Sequence, residues 1–176
     1  MKNLFRLCLI AAVCLPLVLV DGCGPFWVDP YITVKDSPLN WVEIHYYNMK
    51  RQPYRKIAVY LSGAGYAEVK KGTSDLVSND FAKRYADDTW NDVVSFRRPV
   101  DEAHLRAIFQ NLVNFGLLDR EKWGKRSSKS TFNRFIAVKA NISSYTYSEQ
   151  ENIYEVDPDL ADQLYDVIRE FDDPTR

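Results

Sequence analysis

The sequence predicts an α+β fold, a mainly antiparallel sheet with two principal helices packed on one face. Three observations carry that expectation. Short segments alternate apolar and polar residues and follow one another across turn-forming residues, as antiparallel neighbours do. Only two stretches keep a helical period long enough to pack. Strands come in runs rather than alternating one for one with helices, which argues against a wound parallel sheet.

Residues 24–40 hold three prolines and no sustained period, and read as a tether into a first extended segment. In "WVEIHYYNM", Val42, Ile44 and Tyr46 share one strand face, while Glu43, His45 and Tyr47 share the other. A polar turn from Asn48 to Pro53 leads to "RKIAVYLSG", where Ile57, Val59 and Leu61 lie together. The turn "SGAG" and the returning strand "YAEVKKG" follow, the glycines being able to take positive φ. "NDFAKRYADDTWND" predicts one short helical turn, with Phe81 and Tyr85 four apart, and "DVVSFRR" predicts a further strand.

The first principal helix is "PVDEAHLRAIFQNLVNFGLLD". Asp101 caps it, Val100 and Leu105 are placed to form a hydrophobic staple, and Gly116 ends it as a left-handed cap. Its apolar stripe is Leu105, Ile108, Phe109, Leu112 and Val113, with Glu102 and Arg106 as an i,i+4 pair on the wet side. After the basic connection "DREKWGKRSSKSTFNR", the strand "FIAVKANI" presents Ile136, Val138, Ala140 and Ile142 to a core. "SSYTYSEQENIYEV" reads as a hairpin with its tip near Glu149–Glu151. The second helix opens with Asp157 as cap and Pro158 at its first position, and buries Leu160, Leu164, Val167, Ile168 and Phe171. The last five residues are expected to fray.

The N-terminus carries an address. Lys2 and Arg6 precede fourteen uncharged residues, Leu7 to Val20, interrupted by Pro16. A membrane-crossing helix needs roughly 20 apolar residues, so the run is short for a span and fits a secretory signal. Its exit, Val20-Asp21-Gly22-Cys23, resembles the lipobox of bacterial lipoproteins, with Val20, Gly22 and Cys23 on the family's positions and Asp21 where the family prefers a small or uncharged residue. The resemblance implies a signal at 1–22, cleavage before Cys23, and acylation of that thiol and of the new amine. With residues 24–40 as tether, this leaves a lipidated N-terminus and tether at 23–40 and, by chain length and pattern, a single domain at 41–172. Gly24 after the cysteine, by the same resemblance, implies the outer membrane of a bacterial envelope. All three cysteines (Cys8, Cys14 and Cys23) lie in this segment, so the mature chain has no internal disulfide.

The full chain has 176 residues, and removal of 22 leaves 154, one ordinary domain. The mature charge is close to neutral, with 21 Lys and Arg against 23 Asp and Glu once Lys2, Arg6 and Asp21 depart. Such a balance gives no global field for nucleic acid as a partner. Eleven Tyr and four Trp fit a β-rich envelope domain. The order of meander, helix ending in "LVNFGLLD", further strand and closing helix loosely resembles small uncharacterised bacterial envelope proteins, a resemblance that brings no activity with it.

Residues capable of chemistry are few. Glu43 and His45 face the same way and offer two metal ligands, but the mature chain has no cysteine beyond Cys23 and only one other histidine, His104, at a helix start. No metal and no cofactor is therefore expected. Gly63 and Gly65 match neither a P-loop nor a dinucleotide fingerprint. No G-x-S-x-G occurs, and the acid pairs Asp87-Asp88, Asp172-Asp173 and Glu149/Glu151 lack a distinguishing context, so no catalytic residue is assigned. The connection bearing Lys122, Lys125, Arg126, Lys129 and Arg134, with Trp123 and Phe132 among them, is the candidate contact for anionic headgroups or a polyanionic glycan. Glu43, His45 and Tyr47, on the sheet face turned from the helices, are the other candidate contact face.

The sequence thus leads to a membrane-anchored envelope lipoprotein with a non-catalytic binding or assembly domain, its partner an envelope protein or a glycan. The alternatives are a hydrolase of envelope polymers using acidic residues, and a structural spacer subunit.

Overall fold

The computed structural model describes residues 32–78, 80–119, 133–149 and 151–173. Residues 1–22, read above as a signal, Cys23 and the basic residues Lys122, Lys125, Arg126 and Lys129 lie outside them. Six strands form one antiparallel sheet: β1 (Trp41–Asn48), β2 (Tyr54–Ser62), β3 (Tyr66–Ser74), β4 (Asn91–Pro99), β5 (Arg134–Ile142) and β6 (Tyr145–Glu149). Their spatial order is β4-β3-β2-β1-β5-β6. The helices are α1 (Phe81–Tyr85), α2 (Glu102–Asn114), α3 (Ile153–Val156) and α4 (Pro158–Asp172). Residues 41–62 pair in register, Tyr47 opposite Lys56 and Ile44 opposite Val59, so the alternating apolar residues of each strand meet on one face.

That face carries the core. Val42, Ile44, Ile57, Val59, Leu61, Ile136, Val138, Ala140 and Ile142 are buried against Leu105, Phe109 and Leu112 of α2 and Leu160, Leu164, Ile168 and Phe171 of α4. The expected α+β architecture, with both principal helices on one side of an antiparallel sheet, is what the chain adopts. Burying one such leucine contributes about 1.5–3 kcal/mol relative to leaving it in water. Asp101 accepts from Ala103 N at 2.9 Å and His104 N at 3.4 Å to start α2, and Gly116 ends it at φ +93°. Asp157 accepts from Leu160 N at 3.1 Å, with Pro158 at the first position of α4.

Four local expectations change. Residues 32–40, expected as tether, are docked: Val34 is buried, its N donates to Gln110 Oε1 at 2.8 Å, and Gln110 Nε2 donates to Ile32 O at 3.0 Å. A polar side chain on α2 satisfies the backbone of the passing segment, which apolar periodicity cannot reveal. Arg106 reaches Asp36 of that segment rather than Glu102. The β5–β6 hairpin turns at Ser143–Ser144, both at positive φ, and Ile153–Val156 is a helical turn instead of a returning strand. The expected fraying does not include Asp172, whose carboxylate pairs with Arg55 and whose carbonyl accepts from Lys71 Nζ at 2.8 Å.

Candidate functional site

The second face of the sheet holds the most concentrated polar chemistry among the described residues. Because paired residues share a face, Gly72, Lys56, Tyr47 and Phe135 form one row across β3, β2, β1 and β5. The next row is Lys70, Ala58, His45 and Ala137. The small residues at Gly72, Ala58 and Ala137 leave room above the sheet, and the connection from Asp75 to Trp90 fills part of it as a strap. Gly72 is required by close approach: a Cβ there would lie 2.5 Å from Asn91 O, where the β3–β4 ladder is irregular.

The strap is built around α1. Asp80 starts that helix by accepting from Ala82 N at 2.8 Å and Lys83 N at 3.4 Å. With five residues, α1 leaves its last carbonyls without partners in the helix. The sheet supplies them. Lys56 Nζ donates to Arg84 O and, at 3.1 Å, to Thr89 Oγ1. Lys70 Nζ donates to Tyr85 O at 3.2 Å, and Trp90 Nε1 to Arg84 O at 3.0 Å. Cations at a helix C-terminus also oppose the negative end of its dipole.

Aromatic faces complete the enclosure. Lys56 Nζ lies 3.9 Å from the Trp90 ring centre and 5.3 Å from that of Tyr47. Lys70 Nζ lies 4.8 Å from Trp90, and the Arg84 guanidinium lies 5.1 Å from Phe135 while donating to Ser78 O at 2.7 Å. Desolvated cation–π contacts of this kind contribute about 2 kcal/mol each. His45 stacks on Tyr85 with ring centres 5.8 Å apart and pairs with Glu43 at 2.8 Å.

Burial sets the protonation of the cluster. Desolvation, then the charges of Lys70 and Arg84, lower the Lys56 ammonium to about 7. Burial also lowers His45, although the hydrogen bond and charge of Glu43 pull the other way. Tyr47 is pushed up by burial against the pull of Arg84, so its phenol stays protonated. Its hydroxyl is buried with no hydrogen-bond partner among the described residues.

Tyr47, Lys56, Leu76, Arg84, Ala86 and Thr89 line a cavity of about 420 Å³ between strap and sheet. Its rim carries one exposed acid, Asp88, and one exposed cation, Lys83. A second hollow of about 390 Å³ lies between residues 34–40, Gly63 and the start of α2, next to the Arg106–Asp36 pair.

The sequence placed Glu43, His45 and Tyr47 on the face turned from the helices, and the register agrees. It did not foresee the strap, under which His45 and Tyr47 are fully buried and the polar residues enclose a cavity instead of forming an open surface. Glu43 and His45 are joined, and among the described residues no third ligand completes a metal set. Arg134, the one described member of the basic set, begins β5 and lies 4.8 Å over the Tyr165 ring. Asp172 is engaged by Arg55 and Lys71. Lys56, Lys70, Arg84 and Trp90 were missed. Their signal was a lysine between apolar residues in "RKIAV" and a Trp closing the strap, but a strand lysine ordinarily reads as a solvated one.

Fold and site together define an α+β domain with a cation- and aromatic-lined cavity under a strap on its second sheet face. No family model matches this sequence, and no curated protein matches it either.

Proposed function

We propose that the protein is a bacterial envelope lipoprotein, cleaved before Cys23 and held to the outer membrane by acyl chains there, and that its domain is a non-catalytic binding module. The cavity under the strap is the observation that carries the binding half of this reading. Several buried polar side chains from separate elements converge on it, the phenol of Tyr47 and the basic groups of Lys56 and Arg84. Two of the described acids are engaged elsewhere, Glu43 by His45 on β1 and Asp172 at the end of α4 by Arg55, which supports binding over envelope-polymer hydrolysis by that pair. The anchor half rests on the apolar run and on Val20, Gly22 and Cys23. Two or three acyl chains give firm attachment where one does not.

One observation favours assembly as the second reading. β4 is an edge strand of nine residues with Val93 and Val94 exposed, and an open apolar edge is a template for another strand. A glycan or envelope protein as partner fits either reading.

The intact mass of the N-terminal peptide from membrane-extracted protein, wild type beside Cys23→Ala, tests the anchor. A chain beginning at Cys23 with added acyl mass, absent from the variant, is the expected result. An unmodified N-terminus in the wild type overturns the lipoprotein reading.

A further inference from the structure

We propose that the cavity under the strap is a binding site for a small organic carboxylate with an apolar body, its head held by Lys56 and Tyr47. This deepens the binding-module reading above and rests on it. The position of each donor supports the assignment. Lys56 has three N–H groups, and two oxygen acceptors, Arg84 O and Thr89 Oγ1, are present among the described residues. Tyr47 lines the same cavity, is fully buried, and has a hydroxyl with no hydrogen-bond partner among the described residues. A buried hydroxyl left without a partner is costly, and a ligand oxygen at that spot removes the cost.

The class of ligand follows from the count and the walls. One N–H and one O–H match the two oxygens of a carboxylate. Leu76 and Ala86 at the exposed side, with Tyr47 below, give the lining apolar surface for a short chain or ring. The volume of about 420 Å³ falls at the lower end of small-molecule sites. Burial among Lys70 and Arg84 makes the Lys56 charge costly, and an anion beside it relieves that cost, so carboxylate and proton bind together. Among the described residues the other charges facing the cluster are Glu43 beside His45, Asp80 at the start of α1, and Asp88 and Lys83 at the rim.

Two substitutions separate the ligand from the fold. Tyr47→Phe removes a hydroxyl that bonds nothing in the fold, so the domain keeps its stability. Lys56→Met removes the charge, while Arg84 O keeps its bond from Trp90 Nε1. The experiment is calorimetric titration of the full-length protein in detergent at pH 6.5 with butyrate, hexanoate and hexan-1-ol, circular dichroism confirming that each variant is folded. Hexanoate is expected to bind the wild type, tighter than butyrate by about fourfold per added methylene. Tyr47→Phe is expected to weaken it roughly tenfold, Lys56→Met to abolish it, and hexan-1-ol to bind no form measurably. Any one of three results overturns the proposal: no heat with millimolar hexanoate, equal affinity in wild type and Tyr47→Phe, or hexan-1-ol binding as well as hexanoate. The titration does not depend on the lipid, so a negative result beside an acylated Cys23 removes the ligand class and leaves the anchor standing.

Discussion

Ser143 and Ser144 join β5 to β6 at φ 52° and 69°, in a two-residue loop that closes Ile142 against Tyr145. Positive φ at both positions is the geometry of the hairpin turn that favours Asn and Gly, and an L-residue with a Cβ is strained there by roughly 1–2 kcal/mol. Ser144 is exposed and its replacement removes no packing. Ser144→Gly is therefore expected to raise unfolding stability by about 0.5–1 kcal/mol, the relief of strain exceeding the added freedom of the unfolded chain. Urea denaturation measures it, and an unchanged or lower midpoint refutes the account of the turn. This turn was hard to read because serine carries no signal for positive φ, so the glutamates further along looked like the tip. Gly63 was legible as a glycine that matters but not why. Its φ is ordinary, and what forbids a side chain is the crossing of residues 37–40, where a Cβ would lie 2.1 Å from Ser37 O.

At the scale of elements, legibility followed the length of the pattern. α2 and α4 run for 13 and 15 residues, and over such spans apolar stripe, cap and stop all point to one answer. The buried faces found in both are those their spacing predicted. Leu164, in the middle of the α4 stripe, is fully buried among sheet and helix residues. Leu164→Ala is expected to cost about 3 kcal/mol, within the range for a large-to-small change in a core that cannot fully collapse. A guanidinium unfolding curve checks it, and a loss under 1 kcal/mol would mean that α4 is held by its ends instead. The strap is the opposite case. α1 has five residues and no apolar stripe long enough to read, and what holds it is tertiary: lysines arriving from β2 and β3 to cap its carbonyls. Propensity and period report the chain's own neighbours, so a helix ended by a distant side chain leaves no local trace. The cavity was hidden for the same reason, since its lining comes from β1, β2 and residues 76–89 at once.

The whole molecule has a sheet with two unlike faces, one apolar and one cationic, and its stability must therefore depend on pH. Lys56 is lowered from 10.5 to about 7 by burial and by the neighbouring Lys70 and Arg84. Between those values the unfolded chain holds a proton that the folded chain releases, so stability rises with pH across that window. Below about 7 both states are protonated and the penalty is fully present. His45 acts in the same sense at lower pH: burial lowers it from 6.5, so acidification protonates the unfolded chain first and destabilises the fold. Tyr47 acts oppositely, because above pH 10 its unfolded phenol ionises while the buried one does not. Among the described residues Glu43 beside His45, and Asp80 and Glu43 near Arg84, moderate the cluster. Unfolding free energy is thus expected to climb by roughly 3 kcal/mol between pH 6.5 and 9.5 and to turn over above 10. Lys56→Met should flatten the rise above pH 6.5, keep the loss below it, and match or exceed the wild type at pH 6.5, since replacing a buried charge with an apolar residue of similar size is often stabilising. Denaturant titrations of both proteins at half-unit pH steps give the answer. A wild-type curve that is level or falling from pH 6.5 to 9.5 would show that Lys56 keeps its charge without cost in the folded state. The ammonium would then have a solvation that neither the aromatic faces nor the α1 carbonyls supply, and the cavity beside it would be a wet one.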